Sequence, residues 1–176
     1  PIAVITYSPY ILLASKKLHK GEDLKSIVSY MIQNPGKLNH ASNSASTILV
    51  SELFKSIAKV EYVDINYRGA SDAIVATQMG TTNFSFVDSG TAAMALQNED
   101  LYALGITTQR RSDQYKDIPT FAEAGINGLH VASTTVLLAP RNISPEVFQT
   151  LKEATLNVLQ SSFYNTKITA LGVDVG

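Results

Sequence analysis

Short apolar runs that read as strands alternate along this chain with segments whose apolar residues recur every three or four positions. That alternation constrains the fold more than any single motif does. After the opening run Ile2-Ala3-Val4-Ile5 and a break at Pro9, Tyr10-Ile11-Leu12-Leu13-Ala14 reads as a short buried strand. Leu24, Ile27, Val28 and Met31 then recur at helical spacing behind Asp23, a natural N-cap, and Asn34-Pro35-Gly36 ends that helix. Further strands are expected at 37–41, 60–65, 83–87 and 101–107. Between them lie a helix whose face is formed by Leu49, Leu53 and Ile57 with Val50 and Phe54, and another over 71–79. Short strands alternating with helices argue for an α/β fold with a mostly parallel, five-stranded sheet covered on both faces.

In such a sheet, ligands sit beyond the carboxyl ends of the strands. Three loops follow strands and should open on that one edge: Ser42 to Thr47, Tyr67-Arg68-Gly69 and Asp88-Ser89-Gly90. The first runs through small hydroxylated residues straight into a helix. A helix start leaves backbone N–H groups without partners and carries partial positive charge, so it suits a carboxylate or phosphate. Ser42, Ser44, Ser46 and Thr47 add hydroxyls for the same guest. The plainer reading makes Ser46 or Thr47 an ordinary N-cap in a polar loop. Arg68 can pair a carboxylate bidentately, and Asp88 can accept from an ammonium or hydroxyl. Their plainer readings are a solvated surface arginine and a helix N-cap.

Composition excludes several functions. With 176 residues and 45% hydrophobic content the chain can bury a core. Its 14 basic and 15 acidic residues nearly cancel, and no basic cluster exceeds Arg110-Arg111, so no nucleic-acid partner is expected. The absence of cysteine rules out disulfides, thiolate chemistry and cysteine-ligated zinc. His19, His40 and His130 are too dispersed to form a local metal motif. No strand is followed by a full G-x-G-x-x-G, so dinucleotide binding is not expected either, and the chain is read as needing neither metal nor cofactor.

Beyond residue 110 the chain changes character. Residues 117–125 form a compact helical turn closed by Gly125, and 129–138 make a long apolar and Thr-rich run. Like the run from Ile2 to Leu13, it is long for one strand, as expected of a segment that leaves one sheet and enters another. A pair of such crossovers suits a two-lobed hinge protein. Ser144 then caps a helix with Pro145 at its first position and Val147, Leu151, Ala154 and Val158 on one face, and a second short helix ends at Leu171-Gly172.

Taken in order, Pro35-Gly36-Lys37-Leu38-Asn39-His40-Ala41-Ser42, Ser51-Glu52-Leu53-Phe54-Lys55-Ser56-Ile57-Ala58, Tyr67-Arg68-Gly69, the segment Asp117 to Gly125, and Leu137-Leu138-Ala139-Pro140 resemble the Bug family. Its members are extracytoplasmic solute receptors of tripartite tricarboxylate transporters. The resemblance implies a periplasmic-binding-protein-like (type II) fold in which two α/β lobes close on a small carboxylated solute and deliver it to a membrane permease. Residues 10–128 would be the complete second lobe. Residues 1–9 and 129–176 would be crossover segments and the C-terminal part of the first. The chain opens without Met, and a signal peptide for periplasmic export is expected in an amino-terminal part that precedes it.

Carried over by position, the resemblance makes Ser42, Asn43, Ser44, Ser46 and Thr47 candidate ligand contacts on the second lobe. It also implies contacts from Thr6, Tyr7 and Ser8 on the first crossover, from Tyr67, Arg68 and Gly69, where Arg68 replaces the family's Lys, and from Asp88. Two departures bear on pocket shape: Ser44 and Ala45 stand where the family often has glycines, and Thr134-Thr135 where it often has an aromatic followed by Gly. Two rival readings remain. One is a ligand-sensing domain that signals to a membrane partner, which needs the same closing cleft. The other is a hydrolase using His40, Ser42 and Asp88, which lacks a G-x-S-x-G elbow and places His40 on a strand end.

Overall fold

The computed structural model describes residues 1–18 and 23–176, so His19 lies outside the described residues. Its elements in chain order are β1 (Ala3–Ser15), α1 (Leu24–Gln33), β2 (Asn39–Ser42), α2 (Ala45–Ala58), β3 (Val63–Asn66), α3 (Ala70–Gln78), β4 (Phe84–Asp88), α4 (Ser89–Ala95), β5 (Leu101–Ile106), β6 (Ala132–Leu137), α5 (Pro145–Leu159), α6 (Ser162–Ala170) and β7 (Asp174–Val175). A single turn of 3₁₀ helix at Ala122–Ala124 closes on Gly125, whose φ of 88° favours glycine. The chain divides into two compact units, Pro9–Ala132 and Pro1–Ser8 with Ser133–Gly176.

In the larger unit the strand order is β3-β2-β4-β1-β5. β2 runs parallel to β3 and β4, while β1 runs antiparallel to β4 and β5. Four of the five strands therefore share one direction, and the exception, β1, is the strand that also serves the smaller unit. Alternate residues feed two cores. Tyr10, Leu12 and Ala14 of β1 and Phe84 and Phe86 of β4 join one cluster, whereas Ile11, Leu13 and Val87 join another with Leu101 and Ile106. Both faces are thus covered, which the apolar runs require. Aromatic edges knit the first core: Phe54 of α2 meets Phe86 and Phe121 at 5.6 Å, and Tyr62 meets Phe84 at 4.8 Å.

Several expected elements shift. The break at Pro9 is absent, because β1 runs unbroken through it. Pro9 lies between the pair Tyr7↔Asp174 and the pair Tyr10↔Asp88, where β1 passes from one unit's ladder to the other's and a missing N–H costs least. The buried stripe of α2 is Thr47, Val50, Ser51 and Phe54, with Leu53 and Ile57 at its margin, and Leu49 is 65% exposed. Helix periodicity fits both stripes, and the polar Thr47 and Ser51 conceal the true one from a hydrophobic count.

In the smaller unit, β1 pairs with β6 and, at Thr6↔Val175 and Tyr7↔Asp174, with β7. Tyr164 of α6 donates to the Ile5 carbonyl at 2.7 Å. α5 has the expected Ser144 cap and Pro145, but its Val147, Leu151 and Val158 are exposed and only Leu159 is buried. The apolar face is amphipathic as expected, and nothing among the described residues covers it.

Phe54→Ala should destabilise the larger unit by about 3–5 kcal/mol, since it removes the ring at the centre of the aromatic cluster. Urea unfolding followed by circular dichroism measures the loss.

Candidate functional site

Because β2, β3 and β4 are parallel, their carboxyl ends share one edge, marked by Ser42, Asn66 and Asp88. Three helices begin there, α2 behind Ser44, α3 behind Gly69 and α4 behind Asp88. The Tyr67 N–H donates to the Ser42 carbonyl at 2.8 Å, which ties the Tyr67-Arg68-Gly69 loop to the end of β2. Opposite Asp88, Tyr10 brings the start of β1's second half to the same edge.

At the serine loop the cap is Ser44, not Ser46 or Thr47. Its Oγ accepts from Thr47 N–H at 3.3 Å, and Thr47 Oγ1 accepts from Ser44 N–H and Asn43 N–H at 3.1 Å each, a reciprocal capping box. The residue at the third helical position can close this box with its own side chain, and Thr47 does so. Thr47 is buried and committed to this role. The main-chain N–H groups of Ala45 and Ser46 are left without intrahelical acceptors, and the exposed Ser46 hydroxyl stands among them. α3 leaves its first amides open as well, because Gly69 brings no capping side chain. A Cβ at Gly69 would meet nothing within 4 Å, so the protein's own packing does not demand glycine there.

Arg68 is exposed and makes no ion pair among the described residues. Both oxygens of Asp88 accept from Thr91, Oδ1 from N–H at 3.0 Å and Oδ2 from the hydroxyl at 2.7 Å. The capping reading of Asp88 therefore describes its position. Thr6, Tyr7 and Ser8 lie on the part of β1 that belongs to the smaller unit, where Tyr7 is 43% exposed.

Ser42 is fully buried and donates to Asp64 Oδ2 at 2.6 Å, so its proton is already given away and its oxygen can only accept. The same carboxylate engages His40 Nδ1 at 2.5 Å, while the Phe86 N–H donates to His40 Nε2 at 3.1 Å. That acceptor role places the imidazole proton on Nδ1. Burial, partly offset by Asp64, holds the His40 pKa below its ordinary value. Burial would push the Asp64 carboxyl up, yet the hydrogen bonds from His40 and Ser42 outweigh it and hold the group low. A neutral imidazole against an anionic carboxylate results. His40, Ser42 and Asp88 form no catalytic relay, since Ser42 gives its proton to Asp64 and both His40 nitrogens are occupied.

Two further hydroxyls stand at this edge, one of them in the Asp88-Ser89-Gly90 loop. Ser89 Oγ opens α4 at this edge and Thr108 Oγ1 follows β5; both are buried with no hydrogen-bond partner among the described residues. The only sequence signal was their position just after strands. Asp64, which organises Ser42, carried no motif.

The open helix-start donors at this edge suit an anion. The fold is that of a periplasmic-binding-protein-like (type II) solute-binding protein, and the comparisons agree. A model described as "Tripartite tricarboxylate transporter family receptor" matches residues 1–176. A UPF0065 protein of Bordetella pertussis is 27% identical over 157 residues, covering 88% of this chain and 48% of that protein. The structure of R. palustris Rpa4515 with adipate is 26% identical, with a TM-score of 0.89 over 100% of this chain and 59% of that one. MatC (Rpa3494) from Rhodopseudomonas palustris with bound malate is 29% identical, with a TM-score of 0.83 over 99% of this chain and 60% of that one. The chain belongs to the tripartite tricarboxylate transporter receptor family, a family of solute-binding receptors rather than enzymes. It spans about half the length of the curated relatives it matches.

Ser44→Ala should cost about 1 kcal/mol through loss of the α2 cap, whereas Ser46→Ala should leave stability unchanged within about 0.5 kcal/mol. Denaturant midpoints of the two variants check this. For His40 and Asp64 the folded pKa values are both lowered, so their stabilisation is complete above the unfolded values of 6.5 and 3.8. It is lost as pH falls through first one range and then the other. Melting temperature should therefore drop on acidification from neutral pH, and His40→Gln should remove the first part of the drop.

Proposed function

We propose that this chain captures a small carboxylated solute at the strand-end edge of Pro9–Ala132 and serves a tripartite tricarboxylate-type transporter from the periplasm. The observation that carries the reading is the set of first-turn amides left open at Ala45 and Ser46 of α2 and behind Gly69 at α3, with Arg68, the residue before Gly69, having no ion-pair partner among the described residues. Helix amides satisfy carboxylate oxygens geometrically and through the dipole, and a guanidinium adds a charge-assisted contact. Ser46 and Asn43 supply further polar contacts, with Tyr67 and Gly69 in the neighbouring loop. Ser44, Thr47 and Ser42 act mainly by shaping the loop. Asp88 selects polar groups only through lone pairs its capping bonds leave free.

The likeness to proteins solved with adipate and with malate favours a dicarboxylate. In this reading residues 10–128, which fall within the Pro9–Ala132 unit, are a complete second lobe, and residues 1–9 and 129–176, with the exposed apolar α5 face, are crossover segments and part of a first lobe. Thr6, Tyr7 and Ser8 are contacts by the family resemblance. Membrane permease subunits are the partners.

A thermal-shift screen against mono-, di- and tricarboxylates, amino acids and neutral sugars tests the reading, because a ligand bound by the native state raises its melting temperature. Carboxylates alone should raise it, with dicarboxylates foremost. Arg68→Gln should weaken dicarboxylate binding by about tenfold while leaving the melting temperature of the unliganded protein in place. Equal affinity for Arg68→Gln and the parent would remove Arg68 from the site, and a shift with sugars but not acids would overturn the reading.

A further inference from the structure

Side chains hold much of the seam between β2 and β4. These parallel strands pair in register at His40↔Phe84, against four pairs between β2 and β3. On one side of that pair, Asn39 and Asn83 exchange bonds, each main-chain N–H donating to the other's Oδ1 at 2.8 Å. On the other side the Phe86 N–H, which a ladder carbonyl would ordinarily accept, donates to His40 Nε2. Through Nδ1–H the same ring reaches Asp64 of β3. One imidazole thus links β3 to β4, two residues before the ends of β2 and β4 at Ser42 and Asp88.

The link requires one protonation state. A second proton would occupy Nε2, and the imidazolium would face the Phe86 N–H donor to donor. The groups around the ring come from three directions. Asp64 belongs to β3, with the Tyr62 ring 6.1 Å away in the segment before it. Glu52 and Lys55 act from α2, and the rings of Phe84 and Phe86 stand at 5.3 and 5.7 Å. Asp64 and Glu52 favour the cation, while burial and Lys55 oppose it. Asp64 is shared between His40 and Ser42, and Ser42 leads into Asn43 and the α2 cap, so the ring and the cap are joined through one carboxylate.

We propose that His40 is a positioning residue for the binding edge. As a neutral clasp between β3 and β4 it holds the ends of β2 and β4, and with them the α2 N-terminus, in binding register, and its protonation releases that register and the solute. The proposal rests on the placement of the solute at this edge, whereas the clasp itself does not.

Two measurements on the 176-residue chain keep these apart. Long-range ¹⁵N NMR of the imidazoles over roughly pH 4.5–8 reads tautomer and titration without any ligand. The expected result is a neutral His40 ring protonated at Nδ1, with the amides of Phe86, Asn43 and Ser44 shifting together as it titrates. A ring protonated at Nε2 near neutrality, or amides of Asn43 and Ser44 that stay still while His40 titrates, overturns the proposal. Calorimetry with malate at roughly pH 7.5 and 5.5 then compares the parent with His40→Gln and His40→Phe, the ionisation of malate being common to all three. Gln Oε1 accepts from the Phe86 N–H at either pH, so His40→Gln should keep most of the affinity and lose the parent's additional acid sensitivity. His40→Phe should bind malate about tenfold more weakly or worse, with its circular dichroism unchanged. Identical pH profiles for parent and His40→Gln overturn the proposal. Where a variant fails to fold, the NMR arm on the parent decides. A parent that binds none of the carboxylates in the thermal-shift screen defeats the receptor reading, and the imidazole titration still decides the clasp.

Discussion

Burial of the sheet on both faces is the constraint on which the rest of this structure depends. Parallel strands cannot be joined by a tight turn, so each of β2, β3 and β4 must be followed by a helix that crosses back over the sheet. That return sends every one of these helices away from the same edge, with its amino end first. The donor-rich character of this edge is then a by-product of topology: three helix starts gather beside Ser42, Asn66 and Asp88 because each buried parallel strand here is followed by a helix. What varies is how each start is finished. Ser44 and Thr47 close much of α2 for themselves, Asp88 and Thr91 close α4, and α3 is left open behind a glycine.

This division of labour separates residues that hold the edge from residues that can meet a guest. Ser42, Thr47 and Asp64 are turned inward, and their hydroxyl or carboxylate groups are spent on neighbouring strands and loops. Ser46, Arg68 and the first amides of α3 face outward with little to bind inside the protein. A charged, solvated donor beside unpaired amides costs the protein little, because water satisfies it, and in the proposed reading these groups are the ones a carboxylate would meet on displacing that water.

The periodic parts of the fold were legible in the sequence. Asp23 capping α1, the stripe Leu24, Ile27 and Met31, and the Ser144-Pro145 start of α5 all follow from local rules that tertiary structure did not override. The errors share a physical origin. Pro9 reads as a break because an isolated strand needs its N–H, yet here β1 changes partners at that residue. Leu49 reads as core because only apolar residues were counted, while the helix buries Thr47 and Ser51 through their hydrogen bonds. At the site, the loop that carries the donors could be found from its position after a strand. The cap within it could not, since Ser44, Ser46 and Thr47 are all good caps and only backbone geometry selects one. Asp64 had no local signal whatever: its importance comes from the register that sets it opposite His40.

Asp88 is both the last residue of β4 and the cap of α4, so strand and helix follow one another with no connecting loop. Such a junction has no slack. An inserted residue would have to rotate α4 or slide β4 along its neighbours, and a slide by one position turns every side chain of the strand to the opposite core. The far edge is built differently, with connecting segments between α1 and β2, α2 and β3, and α3 and β4. An insertion has more room in those segments than at the β4–α4 junction. What the β4–α4 corner presents can therefore be altered by exchanging side chains such as Asp88, but not by lengthening the chain there.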